Sequence, residues 1–225
     1  VDPPTKTPHL GGEKLDDGWH TMWIRSVGFY GMALLPVGIA LLASLVWRVE
    51  HTNGNWNALM SGPTSTLRVV IGKVAAVAVL SAVMQAVLLV TVIVLGKLVF
   101  GVPGMLPTEY FVSSVLIMLA CVPVAALQSG LSTFVRSFAT PIAIALVSTG
   151  VSTMGLLTDL KAMTVVPYAL ATHSTQIGLS GDQASFDPAA VSLSSVSFVV
   201  VMATALTGVI VAGTTLLLNR IDTRS

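Results

Sequence analysis

The sequence predicts an all-α polytopic membrane protein, and three observations carry that reading. The chain of 225 residues is 54% hydrophobic and only 9% charged, against roughly 25% charged in an average soluble domain. Five apolar runs reach the ~20 residues that a helix needs to cross a bilayer core of about 30 Å. None of the five contains Lys, Arg, Asp or Glu, so every charged side chain falls outside them. Five helices apolar on all sides, with little polar surface elsewhere, would have nothing to keep them in water.

The chain opens with a polar stretch from Val1 to Ser26 and enters its first predicted span at Val27, which runs to Trp47. A link of residues 48–73 leads to the second span, Val74 to Gly96. The third and fourth spans, Phe111 to Val135 and Ser137 to Thr158, are separated only by Arg136 and predict a tight helical hairpin. Pro141 suits the first turn of the fourth, where its missing N–H removes no helical bond. A loop of residues 159–195 precedes the fifth span, Val196 to Leu218. Within that loop Val165 to Leu170 is apolar enough to touch or re-enter the outer leaflet, with Tyr168 placed as an interfacial anchor.

Lys and Arg favour the cytoplasmic side of short connections. With residues 48–73, Arg136 and the tail from Asn219 placed inside, 34 positions hold six basic residues, whereas the 77 positions left outside hold five. Residues 1–26 are therefore expected outside the cell and the C-terminus in the cytoplasm. A polar stretch has no way across a bilayer without a signal or a preceding helix, and no signal-peptide pattern is visible. This predicts a missing upstream helix and six spans in the native protein.

Several chemistries are excluded or made improbable by composition. The net charge of +1 and the lack of a Lys/Arg patch set nucleic acid aside. Gly72-Lys73 is followed by Val74 and Gly96-Lys97 by Leu98, where a phosphate cradle needs G-x-x-x-x-G-K-[ST]. His9, His20, His51 and His173 lie in different connections without metal-ligand spacing and read as surface histidines. Cys121 is the only cysteine, so no internal disulfide or multi-cysteine metal site can form. The spans hold no Asp or His to activate a nucleophile, so Ser81, Ser113, Ser114 and Ser148 read as close-packing small residues. Gln85 and Gln128 read as interhelical hydrogen-bond partners. Ion-coupled carriers keep an ionisable residue within the membrane. None lies in these spans, so a pump built on this chain would draw its energy from a partner.

The link is the most informative segment. Trp56, Leu59 and Met60 recur at i, i+3 and i+4, which predicts a short amphipathic helix ended by Gly62-Pro63. Ser65 can cap the next helix, with Arg68 and Lys73 snorkelling to headgroups. The pattern Glu50, Gly54, Trp56, Leu59, Pro63, Ser65 and Lys73 resembles the link signature of ABC-2 type permeases, nearest the branch with lantibiotic-immunity and bacitracin-export permeases. Arg, which often follows the Ser directly in that family, is displaced here to Arg68.

The resemblance implies residues 27–225 as an ABC-2 type transmembrane domain in the plasma membrane of a bacterium. It implies an exporter of an amphipathic peptide, antibiotic or lipid-like substrate, working by alternating access, with a lid-like outer loop. Partners would be a separate ATPase dimer, which would bind ATP and Mg, and a second permease subunit, identical or related. The chain itself would be neither an enzyme nor a cofactor carrier. Glu50, Gly54, Trp56, Leu59, Met60, Pro63 and Arg68 would couple to the ATPase. Met32, Leu35, Ser148 and Met154 would line the cavity. The alternatives are a non-transporting scaffold or sensor subunit, and a channel or secondary carrier.

Overall fold

The computed structural model describes residues 13–51, 63–135, 137–158, 160–177 and 191–222. Among them no strand occurs, and five helical spans are long and apolar enough to cross a membrane: Gly18–His51, Thr66–Leu98, Thr108–Phe134, Ala139–Leu157 and Leu193–Arg220. The elements are α1 (Glu13–Phe29), a π-helical turn (Tyr30–Leu34), α2 (Leu35–His51), α3 (Thr66–Leu98), α4 (Thr108–Phe134), α5 (Ala139–Leu157), a 3₁₀ turn (Lys161–Val165), α6 (Pro167–Gln176) and α7 (Leu193–Asp222).

The first span starts well before the apolar run that announced it. At 1.5 Å per residue, Gly18–His51 is about 50 Å long, more than a bilayer core requires. Its early part is held by aromatic side chains rather than by an unbroken apolar run: Trp19 and Trp23 are buried, Trp19 Nε1 donates to the Pro103 carbonyl at 3.0 Å, and the Trp23 and Tyr110 rings lie 5.1 Å apart. His20 is buried as well, with Nδ1 3.1 Å from the Tyr110 hydroxyl, which corrects its reading as a surface histidine. The π turn has a cause in the sequence. Pro36 cannot donate to the Met32 carbonyl and its ring crowds that carbonyl. The backbone widens so that the Leu35 N–H reaches the Tyr30 carbonyl.

α4 is the central helix. Ser113, Ser114, Ile117, Ala120, Cys121, Val124, Ala125, Gln128, Ser129 and Ser132 are buried along it, and its many small side chains let neighbours approach closely where lipid supplies no hydrophobic drive. α2, α3, α6 and α7 all pack on it. α5, although joined to α4 by a short turn, packs mainly on α2 and α6, so the predicted hairpin is adjacent in sequence more than in contact. The two glutamines act across helices: Gln85 Nε2 donates to Ser114 Oγ at 3.3 Å, and Gln128 Nε2 donates to the Pro141 carbonyl at 3.1 Å and to the Tyr168 hydroxyl.

α6 is the element that periodicity did not announce. It starts on Pro167 and buries Tyr168, Ala169, Leu170, Thr172 and Ser174 among α4, α5 and α7. Tyr168 is therefore a core residue bonded to Gln128, not an interfacial anchor.

At the end of the bundle opposite the link, Gly101 and Gly104 take positive φ (60° and 71°) in the α3–α4 connection, a conformation open to glycine without strain. Gly96 meets a different demand, because a Cβ there would overlap the Trp19 ring. Gly96→Ala is expected to lower stability by about 1–3 kcal/mol through displacement of Trp19. Gly150→Ala, on an open face of α5, should leave stability unchanged or raise it by ~0.5–1 kcal/mol. Unfolding of both variants in mixed micelles checks the pair; equal effects would reject the close-approach account.

Candidate functional site

Three of the predicted coupling residues stand where the 48–73 link leaves and rejoins the bundle. Gly54, Trp56, Leu59 and Met60, with the amphipathic helix they predict, lie outside the described residues. Glu50, Pro63 and Arg68 are described, and with neighbours that the sequence did not single out they define the root of the link.

Glu50 stands in the last turn of α2, and Lys73 stands two turns into α3. Lys73 Nζ lies 2.6 Å from Glu50 Oε1, donates to the Val46 carbonyl at 3.0 Å, and sits 5.4 Å from the centre of the Trp47 ring. Lys73 is only 21% exposed and Glu50 14%, so the ammonium does not reach for headgroups as expected but closes a pair inside the protein. A cation beside the C-terminal carbonyls of α2 also meets the negative end of that helix's dipole. Partial withdrawal from water strengthens the attraction within the pair and raises its desolvation cost together. Removing one partner would strand the other.

The Trp47 ring carries the connection onward. It is fully buried, and Nε1 donates to Ser129 Oγ on α4 at 2.7 Å. One turn later His51 Nε2 donates to the Ser132 carbonyl at 2.8 Å, and Ser44 Oγ lies 3.4 Å from Ser132 Oγ. Three helices are thus tied within two turns of the link: α2 to α3 by charge, and α2 to α4 by an indole, an imidazole and two hydroxyls. Pro63 is exposed in the bend before α3, and Arg68 is exposed in its first turn. Ser65 occupies the N-cap position but its hydroxyl makes no cap; its carbonyl accepts the first helical bonds, from the N–H groups of Arg68 and Val69.

The four predicted cavity residues do not share one environment. Leu35 is 2% exposed and packs in the core, Ser148 is half-buried, and Met32 and Met154 are 57% and 65% exposed. Burial makes Leu35 a packing residue within the single chain. The exposed methionines lie on the bundle's outer surface.

Sequence reasoning missed Trp47, Ser129 and Ser132 because none stands in a motif. Their only signal was an indole, which rarely stays buried without a bond, in a helix facing a Ser-rich one. Among the described residues no three His, Cys, Asp or Glu side chains gather as a metal site would require.

The family model described as ABC-2 family transporter protein matches residues 7–152, which takes in α1 to α4, most of α5 and the whole link. No curated protein and no solved structure matches the chain.

A double-mutant cycle tests the root. Glu50→Gln and Lys73→Met should each destabilise by about 1–3 kcal/mol, and the double variant by less than their sum, leaving a coupling energy of ~1 kcal/mol or more. Additive losses in mixed-micelle unfolding would show that the pair contributes nothing as a pair.

Proposed function

The chain belongs to the ABC-2 transporter family, and from that premise we propose that it is the membrane-spanning permease of an exporter driven by a separate ATPase dimer. The observation that carries the reading is the anchoring of both ends of the link. Glu50 and His51 at its start tie α2 to α3 and α4, and Lys73 at its end ties α3 back to α2. A partner pushing on residues 52–62 would move α2, which packs against α3, the central α4 and α5. Sparse, rigid ties at the point of load are what mechanical coupling requires, since packed interfaces switch between arrangements rather than deform continuously.

In this reading ATP and Mg are bound by the partner, and Glu50, Gly54, Trp56, Leu59, Met60, Pro63 and Arg68 form the contact with it. Two copies of the chain, or this chain and a related one, enclose the path between them. The exposed Met32 and Met154 and the half-buried Ser148 are available to such a path. The five apolar runs carry no charge, so the substrate class that fits is amphipathic: a peptide, an antibiotic or a lipid-like molecule. The link end carries Arg48, Arg68, Lys73 and Arg220 and is assigned to the cytoplasm of a bacterial cell.

Two measurements test this. Leu10→Cys should be labelled by an impermeant reagent only from outside and Thr223→Cys only from inside; labelling of both from one face overturns the orientation. Trp56→Ala should weaken recovery of the ATPase in pull-downs by about thirtyfold, as loss of an aromatic anchor worth ~2 kcal/mol would. Membrane insertion should persist, because position 56 falls between the spans Gly18–His51 and Thr66–Leu98 and adds nothing to either. Equal recovery of the ATPase with wild type and variant would reject the coupling role.

A further inference from the structure

Beside the root of the link lies a cavity of about 240 Å³ lined by Ser44, Arg48, His51, Ser132, Ser137 and Phe138. It sits between the end of α2, the end of α4 and the start of α5. Its polar lining is cationic and hydroxylic: no carboxylate contributes, since Glu50 of the same helix end is engaged by Lys73. Among the described residues no carboxylate pairs with Arg48. The guanidinium is exposed at the cavity wall, five donors on a side chain that keeps its charge at all physiological pH.

Hydroxyl donors and a helix N-terminus add to this lining. His51 Nε2 donates to the Ser132 carbonyl, so the imidazole is fixed in the wall. Ser44 and Ser132 are 3.4 Å apart and share at most one proton in that contact, which leaves the other hydroxyl a donor to spare. α5 begins directly beyond Ser137 and Phe138, and Phe138, its N-cap residue, supplies no side-chain cap. The positive end of the α5 dipole therefore follows directly on the lining residues Ser137 and Phe138, with N–H groups at Ala139 and Thr140 and none at Pro141.

We infer that this cavity binds a phosphate group, held by Arg48, the hydroxyls of Ser44, Ser132 and Ser137, and the N-terminus of α5. The volume admits a phosphate with a glycerol ester but not a whole lipid. The exposed stripe Leu41, Leu45 and Val49 on α2, with Phe138 in the cavity lining, supplies an apolar bed for acyl chains. Basic pockets between transmembrane helices take lipid headgroups in this way. The site does not depend on the direction of transport, nor on the partner ATPase, since lipid phosphates border both faces of a bilayer.

The test is thermal unfolding of the full purified chain in nonionic detergent, titrated with phosphatidylglycerol, with a phosphate-free neutral galactosyl diacylglycerol, or with inorganic phosphate. Phosphatidylglycerol is expected to raise Tm, and Arg48→Gln to weaken its apparent affinity about tenfold to a hundredfold, as loss of charge-assisted hydrogen bonds would. Arg25→Gln, at the opposite end of the first span, should leave the titration unchanged. Stabilisation by inorganic phosphate with the same dependence on Arg48 would support the site and identify free phosphate as the ligand. Equal stabilisation by the phosphate-free lipid, or equal effects of the Arg48 and Arg25 variants, would overturn the proposal. Ser137→Ala gives an independent reading should Arg48→Gln not yield folded protein: a severalfold loss of affinity supports the site, and no loss overturns it.

Discussion

A polar group that leaves water inside this bundle has only other protein groups to bond, and the arrangement of the helices follows from that constraint. Lipid offers apolar side chains no preference for the protein interior, so burial alone does not choose which faces meet. The choice falls to a few polar side chains with geometric needs. Gln85 finds Ser114, Gln128 finds the Pro141 carbonyl and Tyr168, and Trp47 finds Ser129. Each of these ties ends on α4 or starts from it, which is why that helix becomes the axis. Individually such bonds are worth about 0.6 kcal/mol on average in membrane proteins; their larger effect is to reject rotations and registers that would leave an amide or an indole unpaired.

The same constraint separates two kinds of charge at the link end. Lys73 and Glu50, partly withdrawn from water, satisfy each other and join α2 to α3. Arg48, one residue beyond Trp47 and exposed, faces a cavity of hydroxyls instead. Helix rotation decides the difference: Trp47 and Glu50 turn toward the protein, whereas Arg48 turns along its edge. The Glu50–Lys73 pair and the Arg48 of the proposed phosphate site thus stand within one helical turn at the start of the link.

A link rooted in this way is suited to passing force. Its two ends are not independent hinges, because displacing α2 relative to α3 breaks the Glu50–Lys73 contact and displacing it relative to α4 breaks the Trp47–Ser129 bond. Motion therefore favours moving the three helices together over shearing them. A phosphate group seated beside Arg48 would join α2 to the start of α5 as well, so the lipid environment and the proposed partner would act on the same few turns of helix.

Much of this was legible in the sequence, and the division has a physical basis. The membrane class, the five spans and the interhelical use of Gln85 and Gln128 follow from composition and from the expense of polar groups in lipid, which any arrangement of these helices must respect. The link pattern from Glu50 to Lys73 marked the family, later matched over residues 7–152. Apolarity, however, reports only where a helix can sit in lipid. It could not announce α1, held by Trp19 against the α3–α4 connection and by Trp23 and His20 against Tyr110 of α4, nor α6, whose ten residues are too short for a span and too buried for a loop. Nor could it show that Lys73 would turn inward to Glu50, that Tyr168 would lie in the core, or that Leu35 would be buried while Met32 stayed exposed. A helix apolar on every side carries no record of its rotation, so which face meets protein and which meets lipid was decided only when the helices packed.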